Sequence, residues 1–216
     1  MTTIVPIDLT CPVCGNTFKS KTVGSFSSKS IRTDFRPNYL GENPVPLFFH
    51  ACPNCGFCGD LNNYKMKIEN NDLKAEIKEM PSLTNKSSPP TLTSKIARAV
   101  RCLEKIKQYK IKAINELTLV NKWIMVYWWA ENLKDKRKYG EITLNYLKQA
   151  FKKNLIPEKL VLRYKYLQGE INRRIGNKEK VNFYFDKTIE LSEKFPDPKD
   201  LATFAQQQKD EPKDSF

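Results

Sequence analysis

Cys11-Pro12-Val13-Cys14-Gly15 and Cys52-Pro53-Asn54-Cys55-Gly56 are two copies of one pattern. Two thiolates three residues apart can grip one metal ion from a tight turn. Proline sets the turn, and glycine after the second cysteine lets backbone N–H groups come close to sulfur. Two such knuckles supply four sulfurs, the donor set of a closed tetrahedral site. Cys11, Cys14, Cys52 and Cys55 are therefore the candidate ligands of one structural zinc ion. The 37 residues between Cys14 and Cys52 suffice for a small sheet that brings the knuckles together.

Working outward, residues 1–60 hold every cysteine but one, five of the eight glycines and only short apolar runs. Phe18–Val23, Ser30–Phe35 and Val45–Ala51 read as strands joined by turn chemistry such as Gly41-Glu42-Asn43-Pro44. So few large apolar side chains make a poor core, and a module this small usually needs a metal or disulfide staple. Cys58 and His50 flank the second knuckle, but four cysteines already complete a shell, so both read as bystanders or supporting groups. A closed sulfur shell has no position for a reactive water, which argues for a structural metal over a catalytic one. Tetrahedral sulfur also suits a single iron ion, which makes a rubredoxin-like electron carrier the rival metal reading.

Residues 61–90 are transitional. Asp72–Met80 is a short helix candidate, and the run Asn85-Lys86-Ser87-Ser88-Pro89-Pro90 makes 61–90 the expected connecting segment and linker. From Thr91 the apolar spacing turns helical: Ile96, Ala99, Val100, Leu103 and Ile106 share one face, with Thr93 or Ser94 as N-cap. Further helices are expected over about Lys112–Leu133, Tyr139–Lys153, Pro157–Ile175 and Lys178–Lys194. The helical domain then spans 91–196, with 197–216 a C-terminal tail that is polar and frayed after Gln208. Trp123 to Trp129 is apolar on most sides and reads as buried core, with one Trp as a possible interface anchor. Cys102 reads as a small buried hydrophobe.

Charge narrows the class of partner. The net charge is +13, and residues 91–154 carry 15 Lys/Arg against 5 Asp/Glu. Such a stretch attracts anions, so nucleic acid is the alternative partner to protein. A hydrophobic fraction of 40% is enough for a real core and excludes wholesale disorder. The longest apolar run, Trp123–Ala130, is far short of the roughly 20 residues that span a bilayer. Neither that run nor Met1–Thr10 reads as a membrane or secretory segment, so a cytoplasmic location is expected, where paired cysteines are metal ligands. No phosphate loop, nucleophile elbow or paired catalytic carboxylate is visible, and the expectation is a protein that is not an enzyme.

Two features together resemble a known family. The double knuckle encloses Asp34-Phe35-Arg36-Pro37 and Gly41-Glu42-Asn43-Pro44. Tyr166-Leu167-Gln168-Gly169-Glu170-Ile171 continues through Gly176-Asn177 to Val181 and Phe185. The first resembles a prokaryotic family of unknown function that joins a zinc-ribbon-like module to tetratricopeptide-like helices. The second resembles one tetratricopeptide repeat, with Gly169 as its small first-helix residue, Gly176 as its turn glycine and Phe185 as its second-helix aromatic. Val181 and Thr188 stand where the repeat usually has alanine. The resemblance implies an α+β chain: a small β-rich zinc-ribbon-like module over 1–60, followed by an all-α array whose groove binds protein. About two and a half helix pairs fit between residues 92 and 194.

Overall fold

The computed structural model describes residues 2–81, 83, 90–195 and 200–216. The chain is α+β: short antiparallel strand pairs come first, and helices follow. It divides into two compact units, and each is discontinuous in sequence. Unit 1 is 1–27 with 39–114, and unit 2 is 28–38 with 115–216.

In unit 1, β1 (Thr3–Thr10) and β2 (Thr17–Ser25) form a long antiparallel hairpin around the first knuckle. The second knuckle is the tip of a much shorter hairpin, β5 (His50–Ala51) and β6 (Cys58–Gly59). Val45–Leu47, expected within a strand, is a 3-10 turn instead, because Pro44 and Pro46 remove ladder donors there. Three helices complete the unit: α1 (Leu61–Tyr64), α2 (Asn71–Glu79) and α3 (Leu92–Gln108). Thr91, ahead of the expected caps, closes the α3 N-terminus by accepting from Ser94 N.

The expected boundary at 61–90 does not coincide with the division between units. α1 and α2 lie inside unit 1, and α3 packs on β6. Ile96, Val100 and Ile106 of α3 are 1% exposed or less and share a core with Leu73 and Ile77 of α2. The physical reason is a shortage of apolar area: the knuckle strands have few large apolar side chains, and α3 supplies them. Most of the proline- and serine-rich run expected as a linker, residues 84–89, lies outside the described residues.

Unit 2 is built on α4 (Glu116–Trp128), α5 (Leu133–Lys152), α6 (Val161–Ile175), α7 (Lys178–Ser192) and α8 (Leu201–Asp210). The expected helix over 112–133 is shorter, because Asn132 starts a new one by accepting from Asp135 N at 2.8 Å. Trp123 is core, 2% exposed and stacked on Tyr139. Gly169 is required by packing, since a Cβ there would stand 2.5 Å from the Phe185 ring.

Residues 28–38 leave unit 1 and belong to unit 2. Ser27 and Leu40 are hydrogen-bonded across the exit and return (2.8 Å), so the excursion is a closed loop. β3 (Ser28–Ile31) and β4 (Pro37–Tyr39) pair along it, with the unit boundary falling after Asn38. At its tip Arg32 N donates to Arg36 O and Phe35 N to Arg32 O, which forces Phe35 to φ +64°. That costs about 1 kcal/mol for a residue with a Cβ. The cost is offset by burial: Phe35 is 5% exposed, packed on Tyr166 and Phe216 under the Arg163 guanidinium.

Thr33 and Asp34 are equally buried. Glu170 of α6, fully buried, accepts from Thr33 Oγ1 (2.7 Å), Arg173 Nε (2.9 Å) and Arg174 Nε (3.0 Å). Asp34 accepts from both arms of Arg32, and its backbone carbonyl accepts from Trp128 Nε1 at 3.0 Å. The stretch expected as a frayed tail closes this arrangement. Thr33 N donates to Asp214 O, and Arg32 bridges to Ser215 as an antiparallel pair.

Candidate metal centre

Each knuckle is a turn with the same backbone bonds. In the first, Cys11 N donates to Asn16 O and Gly15 N to Cys11 O; in the second, Cys52 N donates to Phe57 O and Gly56 N to Cys52 O. Both turns end in a left-handed residue, Gly15 at φ +73° and Gly56 at φ +70°, so the glycines are a conformational requirement. Tyr64 ties the second knuckle down, its hydroxyl donating to His50 O and Phe57 O.

The two turns bring Cys11, Cys14, Cys52 and Cys55 together, with all four Sγ atoms within 4.8 Å of one another. The Cys11–Cys55 and Cys14–Cys52 sulfur pairs are 3.5 and 3.6 Å apart. That is far beyond a disulfide bond of about 2.0 Å. A tetrahedral ion with bonds of about 2.3 Å sets its sulfurs roughly 3.8 Å apart, so the cluster has the dimensions of a four-sulfur site. Cys11 and Cys52 are buried, while Cys14 and Cys55 are partly open to solvent. A hydrogen bond from Cys55 holds the Cys11 thiol down to about 5, and the same contact pushes Cys55 up. The two sulfurs are thus electrostatically coupled, and a metal ion binding there would displace the protons that the four cysteines carry.

Among the described residues the cluster includes neither His50 nor Cys58. His50 Nδ1 lies 2.9 Å from Ser20 Oγ, and burial holds the imidazole down to about 4, so it is neutral. Cys58 donates to Lys95 O of α3 at 3.4 Å, and burial pushes its thiol up. Cys102 is 1% exposed, and burial pushes it up to about 11. Neither thiol is a reactive one. The part of the site that spacing did not reveal is α3. Its signal was the apolar stripe from Ile96 to Ile106, with Cys102 as a small residue within it.

The four cysteines could hold a metal ion, and nothing in the geometry selects its identity. The chain matches the family described as "Uncharacterized protein conserved in bacteria (DUF2225)" over residues 6–212, and it belongs to that family. No curated protein and no solved structure matches it significantly. Among the described residues no helix is long and apolar enough to cross a membrane.

Proposed function

We propose that this protein is a non-enzymatic, zinc-stabilised interaction protein that works in the cytoplasm. One zinc ion holds unit 1, and unit 2 is a tetratricopeptide-like array that binds a protein partner. The observation that carries the reading is the set of four converging sulfurs. A filled sulfur shell leaves a divalent ion no open position, so its contribution is to the fold. The tetratricopeptide-like reading is supported by Gly169 closing on Phe185 and by Gly176 capping α6 just before α7.

The surface on which a partner would dock is narrowed by residues 28–38. They already cover Trp128 and Glu170, with Arg36 lying over Trp129. The partner face is therefore elsewhere on unit 2, where Leu133 and Phe183 stand more than half exposed. Affinity capture from native extract, with a nuclease-treated control and metal analysis of the captured protein, tests this. One zinc per chain and a nuclease-resistant protein partner are expected. Capture of no protein at physiological salt would remove the interaction reading.

The nucleic-acid reading is weakened by the division of charge. The basic stretch 91–154 is shared between the units, which carry 14 Lys/Arg against 8 Asp/Glu and 23 against 16. Nucleic-acid binding would fall steeply with added salt, which an anisotropy titration reads directly. The iron reading is decided by the visible absorption of the purified protein, since zinc thiolate is colourless there.

A further inference from the structure

We propose that Arg98 of α3 is the fixed counter-charge of the metal centre and the link by which metal occupancy reaches that helix. The inference rests on the metal reading above. Four thiolates around one divalent ion leave two net negative charges, which a partly buried site must balance. Among the described residues no carboxylate lines the groove over Cys14, Cys52 and Cys55; the charged lining residue there is Lys78.

Arg98 lies beside the second knuckle. It stands mid-helix and is 7% exposed, an unusual place for a guanidinium without a carboxylate. One arm is committed, with Nη2 donating to Pro81 O. The other, Nη1, is buried with no hydrogen-bond partner among the described residues. That free arm lies 3.6 Å from the point where a Cβ on Gly56 would stand, beside the residue that follows Cys55 in the knuckle. Its field reaches the neighbouring thiols, and it lowers Cys58 and Cys102 against the larger effect of burial. A buried cation with an idle arm is costly by itself and makes sense beside a negative cluster. A Cβ on Gly56 would meet Nη1 at ordinary van der Waals distance, so the arm lies against the knuckle itself.

The test compares Arg98→Gln, which keeps a hydrogen-bond donor for Pro81 O and removes the charge, with Arg98→Lys, which keeps the charge. Each full-length protein is loaded with zinc, and release to a chromophoric chelator is timed. Thermal midpoints of the zinc-bound proteins are measured alongside. Arg98→Gln should lower zinc affinity about 10-fold or more, the usual size of a supporting-residue effect, while Arg98→Lys stays closer to wild type. Arg98→Lys should also keep the zinc-bound thermal midpoint closer to wild type than Arg98→Gln does. Equal losses by the Gln and Lys variants, or equal zinc retention by Gln and wild type, would overturn the proposal and leave the metal centre standing. A wild-type chain that retains no zinc would overturn the metal centre and this proposal together.

Discussion

Unit 1 gathers four sulfurs at the tips of two hairpins, whereas unit 2 gathers Glu170, Arg173, Arg174, Thr33 and Asp34 around one turn of α6. Both are polar knots in a small core, but they differ in what completes them. The ion cluster is closed by the chain's own charges. The sulfur cluster has no cation among its own side chains, so a metal ion is what would close it. The difference teaches that the two units should fail under different insults, so attacking one knot should leave the other intact.

The largest effect should come from a strong chelator. Structural zinc supplies roughly 10–16 kcal/mol in small zinc domains, more than unit 1 could lose and stay folded. Hydrogen exchange read by mass spectrometry should show the knuckles and α3 losing protection together, while α6 and α7 keep theirs. Protection retained over 92–108 would mean that α3 does not depend on the metal.

Next is Glu170→Gln, which takes the charge off the fully buried carboxylate that the half-buried Arg173 and Arg174 share. Breaking such a buried pair costs about 3–5 kcal/mol. Denaturant unfolding should show that loss in the unit 2 transition, with zinc content unchanged. A smaller effect is expected from Gly169→Ala, whose Cβ would meet the Phe185 ring at 2.5 Å. Overpacking of this kind costs about 1–3 kcal/mol. The same denaturant curve checks it, and no loss would mean that α6 and α7 can part freely. The smallest is Cys58→Ala: zinc stoichiometry by elemental analysis should stay at the wild-type value, and stability should fall by only about 1 kcal/mol. A lost zinc would make Cys58 a ligand.

The metal cluster was legible because its information is local. A knuckle is a five-residue turn, and its cysteine spacing, proline and glycine act within that turn. The helices from Thr91 were legible in number and rough extent for a similar reason, since apolar periodicity is a local property. Their ends moved where a single side chain decided, as Asn132 does by capping α5. Unit membership was not legible, because it depends on who supplies apolar area to whom. Nothing local in Ile96 or Val100 says that their stripe covers the knuckle module instead of the next helix. Asp34-Phe35-Arg36 was noticed as a pattern, but the partners of this turn lie some 90 to 180 residues downstream, where no periodicity reaches.

That excursion also constrains how the chain can assemble. Unit 1 has all its parts once α3 is made, so it can form early around its four cysteines. The turn at Thr33 must then wait for α6 and for residues 213–215, a closure of about 180 residues and the slowest kind of contact to find. Until those partners arrive, Phe35 and a charged turn remain exposed on a loop whose two ends are already pinned. Cleavage anywhere in 61–90 therefore separates the two halves of each unit. A fragment beginning at Thr91 would carry Glu170 without Thr33, and α3 without the core it covers.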